Sequence, residues 1–268
     1  MPSRAAERRP WTREELLLAL NLYWQIPFGK QHARNPEIIE LAKAIGRTPA
    51  SVAMKLNNLT SIDPEERGRV RGLRGASKTD REIFEWWEQN REQAVVESEQ
   101  LWVDRVEHRR PGAVLIASDR VPAEDERRAW VTEATSARKV RLGQRFFRRA
   151  VLANFDGRCA LTGIDHRDLI VASHIVGWAE DSTQRLRIGN GLALNRLHDG
   201  AFDRKLVTFD EDLRLVVGRT AREVFSKEEL GRGFLKYEGE RLRDTVRHAI
   251  DPVLMRRHRE QFATVNAS

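Results

Sequence analysis

The chain has 268 residues, and 47 Lys and Arg against 40 Asp and Glu give a formal net charge of +7. That length bounds it to one large domain or two small ones, and the surplus positive charge favours a polyanionic partner, nucleic acid first. A lone cysteine, Cys159, excludes an intrachain disulfide and a paired-cysteine structural zinc site, and no signal-peptide core or membrane-length apolar run is present, so a soluble, cytoplasmic protein with no membrane partner is expected.

In chain order, "PWTREELLLALNLYWQI" opens with a capping box, Thr12 with Glu15, and places Leu16, Leu20 and Tyr23 on one helical stripe. "NPEIIELAKAIG" signals a second helix, with Asn35 as N-cap, Pro36 at the first position and Gly46 as a left-handed end. "RTPASVAMKLNNL" signals a third, capped by Thr48, with Val52, Leu56 and Leu59 inward. Two short helices joined by a tight turn suit a helix-turn-helix unit, whose second helix presents polar side chains to the major groove. Lys55, Asn57 and Asn58 are the expected DNA-facing set. A solvated helical bundle is the alternative. "WTREE" followed by "GRTPASV" also resembles, loosely, the tryptophan-anchored three-helix repeats of Myb type.

After a Gly- and Arg-rich loop, "TDREIFEWWEQNREQAVVESEQLWVDRV" reads as one long helix. Its apolar side, including Ile83, Trp86, Trp87, Ala94 and Val95, can pack on the first bundle or make a homodimer. Residues 107–137 hold two prolines and no sustained period, which reads as a linker with "AVLIA" as a docked strand. The expected class is therefore α+β: an all-helical module over 1–106, the linker, and a mixed domain over 138–268.

The second domain begins with the basic run "RKVRLGQRFFRR", in which Arg141, Arg145, Arg148 and Arg149 are expected to contact phosphate, while Phe146 and Phe147 are expected in the core. "FFRRAVLANF" reads as a helix, "DLIVASHIV" as a strand with His174 near its end, "NGLALN" as a second strand, and "RLHDGAFD" as a helix holding His198. Strand, loop, strand and helix can gather His174, Asn190 and His198 around one spot. Phosphodiester hydrolysis needs a base for water, charge to offset that on phosphate, and a stabilised leaving oxygen. A neutral histidine can be the base, a helix-borne histidine can hold a divalent ion, and an asparagine amide can orient the base or a loop. His32, His108, His166, His248 and His258 are read as structural or surface groups. "RRHR" near the end, in a final basic helix, can add backbone contacts.

At "C-x-x-T-G" (Cys159 to Gly163), "A-S-H-I-x-x-W" (Ala172 to Trp178), "N-G-L-x-L" (Asn190 to Leu194) and "H-D-x-A-F-D" (His198 to Asp203), the chain resembles the HNH nuclease family. The resemblance implies a ββα-metal fold, a divalent metal such as Mg²⁺ or Mn²⁺, His174 as general base, His198 as metal ligand and Asn190 fixing the base-bearing strand and loop. Many members of the wider superfamily carry Asp or His before the base; this chain has Ser173. The remaining ligand is sought among Asp203, Asp199, Asp165 and Asp168, with Asp203 preferred. The resulting expectation is a metal-dependent endonuclease on double-stranded DNA, of restriction type against foreign and even modified DNA. The alternatives are a DNA-binding regulator that keeps the fold without turnover, and an RNA nuclease.

Overall fold

A computed structural model describes residues 9–66, 68–70, 72–73, 75–107 and 124–267. The chain divides into two compact units, Met1–Trp24 with Phe28–Leu142, and Gln25–Pro27 with Gly143–Ser268. Among the described residues, no helix is long and apolar enough to cross a membrane.

The first unit is helical: α1 (Arg13–Gln25), α2 (Pro36–Ile45), α3 (Pro49–Ile62), α4 (Lys78–Gln89) and α5 (Arg91–Trp102). Local rules set their ends. Thr12 and Glu15 exchange the two bonds of a capping box (3.1 and 3.3 Å), Asn35 accepts from Glu37 N, Thr48 accepts from Ser51 N, and Gly46 ends α2 at φ 68°. The long helix expected over 79–106 is broken at Asn90, whose backbone leaves helical angles and whose side-chain amide donates to the Trp86 carbonyl (2.9 Å). An asparagine that competes for main-chain acceptors favours such a break. Ile83, Trp87, Ala94 and Val95 are covered within the chain and Trp86 is half-buried under the Arg13 guanidinium, which leaves little of this face for a dimer.

The polar residues expected to face DNA are spent internally. Lys55 is buried, with Nζ 2.7 Å from the Asp80 carboxylate and stacked near Trp11. Asn57 donates to the carbonyls of Gln31 and Ala53. Asn58 is buried against Gly75. Gly72 lies so close to α3 that a Cβ there would sit 2.6 Å from the Asn57 carbonyl oxygen. The less buried positions of α3, among them Ala50, Met54, Asn57 and Ser61, carry no charge. That surface lacks the cations that neutralise phosphate, so α3 does not have the surface of a groove-reading helix.

The unit boundary falls inside α6 (Glu124–Asn154). Of the segment read as a linker, 108–123 and the "AVLIA" within it lie outside the described residues, while 124–137 is helical. Its Ala-, Arg- and Glu-rich sequence sustains a helix by propensity without an apolar stripe to reveal it.

In the second unit, β1 (Ile170–His174) pairs antiparallel with β2 (Gly191–Asn195), with His174 opposite Gly191. α7 (Arg196–Asp203) follows directly, capped by Asn195 Oδ1 on His198 N (3.0 Å). A second hairpin joins β3 (Val207–Phe209) to β4 (Leu215–Val217), and α8 (Arg219–Val224), α9 (Lys227–Gly233) and α10 (Pro252–Asn266) complete the unit. Mixed helix and small antiparallel sheets make the class α+β. The buried Cys159 sulfur accepts from the main-chain N–H of Thr162 and Asn195, and Ala160 N donates to Ala193 O, so the "C-x-x-T-G" turn docks on β2.

Two packing features set the core. At Gly191, α6 passes so close that a Cβ would lie 2.3 Å from Val151 Cγ2 and 2.9 Å from Phe147 Cζ. On α10, His258 is fully buried, stacked on Phe202 (3.7 Å between ring centres), with Nε2 on the Phe202 carbonyl and Nδ1 on the Thr208 hydroxyl.

Replacing Gly191 with Ala is expected to destabilise the protein by about 1–3 kcal/mol through overpacking, read as a lower urea midpoint. Burial, with help from the Lys205 charge, pushes the His258 imidazole down to about 3. Its neutral form is native, so the unfolded chain takes up the extra proton as pH falls. This contribution is complete above about pH 6.5 and falls by about 1.4 kcal/mol per pH unit below it. Urea unfolding of His258→Gln beside the unaltered protein checks it: the gap in stability should narrow from pH 7 to pH 5.

Candidate active site

The last residue of β1, His174, points its imidazole into a frame of main chain and aromatic rings. Its Nε2 lies 3.0 Å from the Arg185 carbonyl oxygen. A carbonyl only accepts, so Nε2 carries the proton and the basic lone pair sits on Nδ1. The ring stacks on Phe147 (3.8 Å, 9° between planes) and meets the Trp178 edge at 5.6 Å. Phe147 reaches it because residue 191, opposite His174 on β2, has no side chain. Burial pushes the imidazole below its ordinary value, partly opposed by the Arg185 carbonyl and the Asp199 charge. The ring is therefore neutral at physiological pH, and among the described residues Nδ1 has no hydrogen-bond partner.

Asn190 builds the loop that supplies the Arg185 carbonyl. Fully buried, it accepts from Val176 N through Oδ1 (2.9 Å) and donates through Nδ2 to the carbonyls of Val176 (3.0 Å) and Gln184 (3.1 Å). Its own carbonyl accepts from Ile175 N. One amide thus clamps both ends of the loop between β1 and β2, with no donor left for another molecule. Its place is that of a positioning residue.

His198, by contrast, is turned away from His174 and into the core. Its Nε2 lies 2.9 Å from the Gly233 carbonyl at the end of α9, and its Nδ1 lies 3.0 Å from Asn195 Oδ1. Phe234 and Tyr237 meet the ring edge-on, and burial lowers its affinity for a proton. Oxygens face both nitrogens, so in this geometry neither is open to a metal; against the expected ligand role, His198 stands as a cap on the end of α9.

One residue on, α7 turns its carboxylates the other way. Asp199 is half-buried, lies near the Ser173 hydroxyl, and feels both His174 and Asp203. Its carboxyl is pushed above the usual range by burial, with the Asp203 charge adding to this and Ser173 opposing it. Asp203, exposed, lies one helical turn further on. Asp165 and Asp168 precede β1, whose length of about 13 Å separates them from His174; Asp165 pairs with Arg158 (3.3 Å). The i, i+4 spacing of Asp199 and Asp203 was the sequence signal for the pair.

Among the described residues, no group of three or more His, Cys, Asp or Glu could hold a metal ion. The neighbouring carboxylates of Asp199 and Asp203 nevertheless suit a hard divalent cation that takes its other oxygens from substrate and water. The like-charge pressure on Asp199 is what such an ion would relieve. Of the basic run, Arg148 is committed to the carbonyls of Ile170 and Arg167 (2.7 and 2.8 Å), bracing the start of β1. Arg145 and Arg149 are half-buried and also have partners, while Arg141 is exposed. In "RRHR", Arg257 pairs with Asp181 and His258 is core.

Residues 159–210, from the Cys159 turn to just past the end of β3, match the family model described as HNH endonuclease, so this segment is similar to an HNH nuclease domain. No curated protein matches the chain.

NMR titration of the His174 ring should give a midpoint below 6.5, because the neutral form is the one the buried frame favours. A midpoint at or above 6.5 contradicts the frame.

Proposed function

We propose that the protein is a metal-dependent DNA endonuclease in which His174 removes the proton from the attacking water. The observation that carries this reading is the orientation of one ring: Nε2–H is held by the Arg185 carbonyl, leaving the Nδ1 lone pair unpartnered in the field of Asp199. His174 Nδ1 accepts the proton as the water oxygen bonds to phosphorus and the bond to the leaving oxygen breaks. Asp199 and Asp203 are the residues that would hold Mg²⁺ or Mn²⁺. Such an ion supplies offset for the charge on phosphate and stabilisation of the leaving oxygen. Asn190 fixes the loop bearing the Arg185 carbonyl, and Phe147 holds the ring plane.

The net charge of +7 and the exposed Arg141 support a nucleic-acid substrate. A helical unit beside a nuclease unit supports a restriction-type role against foreign DNA, and equal rates on methylated, hydroxymethylated and plain DNA would remove its modification-dependent form. One observation favours a second reading, a regulator that binds DNA without turnover: among the described residues, no group of three or more His, Cys, Asp or Glu is assembled to hold a metal.

Plasmid incubated with the purified protein and Mg²⁺ or Mn²⁺ should be nicked or cut, with His174→Ala slower by about 10²–10⁴-fold. Asp199→Asn should weaken saturable Mn²⁺ binding in calorimetry, whereas His198→Phe, if folded, should keep it. Absence of cutting by the unaltered protein selects the regulator.

A further inference from the structure

The outward side of α7 carries Arg196, Asp199, Gly200, Asp203 and Arg204, because His198, Ala201 and Phe202 turn into the core. Arg196 and Arg204 are both exposed and stand about 12 Å apart along the helix, with the two carboxylates between them in sequence. Among the described residues, neither guanidinium pairs with a carboxylate. Other arginines of this unit take the acid within reach: Arg219 pairs with Glu223 (2.8 Å), Arg232 with Glu228 (3.0 Å) and Arg241 with Asp244 (2.8 Å). Each of those pairs uses an i, i+3 or i, i+4 spacing, and Arg196 has Asp199 at such a spacing without closing on it.

Both are instead tethered to main chain through a single donor. Arg196 Nε donates to the Asp168 carbonyl (3.0 Å), while the N–H of the same residue donates to the Leu169 carbonyl (3.0 Å). Arg204 Nη1 donates to the Gly200 carbonyl (3.1 Å). It lies where residue 200 has no side chain, since a Cβ there would be 3.5 Å from Nη1. That holds the Arg204 guanidinium against the turn of α7 that bears Asp199. A guanidinium has more donors than one carbonyl can take, so both arginines keep donors to spare. Their charges also act on the Asp199 carboxyl. A DNA phosphate brought beside Asp199 and Asp203 meets two negative groups, and cations on either side of them offset that repulsion.

We propose that Arg196 and Arg204 are substrate-binding residues that grip backbone phosphates of duplex DNA laid along the outward side of α7, on either side of the carboxylates. The inference rests on the reading above that this site receives DNA. The tether to main chain fixes where each guanidinium starts from, and its remaining N–H groups match the oxygens of a phosphate. Such contacts hold the strand in register without reading bases. They act equally on bound substrate and transition state, so they lower KM and leave kcat alone.

Salt dependence of binding counts such contacts directly. In the full-length protein carrying His174→Ala, so that the strand stays whole, a duplex DNA oligonucleotide with Mg²⁺ should lose about 0.9 from its log–log salt slope on Arg196→Ala or Arg204→Ala, and about 1.8 on both. Arg196→Lys and Arg204→Lys keep the charge while giving up the guanidinium's tie to main chain, and should keep the slope. With His174 restored, the double alanine variant should cut plasmid with KM raised roughly tenfold and kcat within about twofold. An unchanged slope in the double alanine variant overturns the inference, and cutting by the unaltered protein then leaves the nuclease reading standing. A slope lost as fully in the lysine variants as in the alanine ones also overturns it, as loss of structure. No cutting by the unaltered protein, with the slope losses present, supports this inference and selects the regulator.

Discussion

The bond between His174 Nε2 and the Arg185 carbonyl decides what the second unit can do, because it chooses the tautomer. With the proton held at Nε2, the lone pair is on Nδ1 of a ring that feels the Asp199 charge. The bond depends on the loop that presents Arg185, and the loop depends on Asn190. That amide exchanges hydrogen bonds with Val176 at the loop's start and donates to the Gln184 carbonyl within it, while its own main-chain carbonyl holds Ile175. Buried polar groups left unpaired cost about 1–3 kcal/mol each, so the loop has little freedom to move the carbonyl away. Gly191 completes the frame from the opposite strand by letting Phe147 stack on the ring.

The same construction occurs a second time in the unit, with a different outcome. His258 also lies flat on a phenylalanine and also gives Nε2 to a main-chain carbonyl. Its Nδ1, however, meets the Thr208 hydroxyl, which can donate to it, and the ring is sealed from solvent. All of its hydrogen-bonding capacity is used, and burial keeps it neutral: it is a core group. His174 differs by one missing partner at Nδ1 and by partial access. A histidine's chemistry here follows from what stands at the second nitrogen, not from strand or helix placement.

Much of this was legible in the sequence where the controlling physics is local. Caps at Thr12, Asn35 and Thr48, the glycine end at Gly46, and the strand carrying His174 follow from short-range rules and appear as expected. The fates of Lys55, Asn57 and Asn58 were not legible, because their partners lie elsewhere in the chain: Asp80, the Gln31 carbonyl and the Gly75 segment. A polar residue at helical spacing reads as exposed unless a distant counter-charge is known to reach it. Arg148 was misread likewise, since only the folded unit brings the carbonyls of Arg167 and Ile170 to its guanidinium.

The exchange of roles between His198 and Asp199 turns on a single step along a helix. Neighbouring positions on α7 diverge by about 100°, so a histidine that enters the core forces the next residue towards another face. Phe202 lies one turn beyond His198 and is fully buried; Asp203 lies one turn beyond Asp199 and is exposed. The phase is set at the start of the helix, where Asn195 caps His198 N and its side-chain oxygen also meets Nδ1 of the same residue. Once that cap forms and Phe202 is buried, His198 is carried under α9 and Asp199 is turned towards Ser173 and His174. The hydrophobic demand of one phenylalanine thereby sets which residues of α7 are available for chemistry.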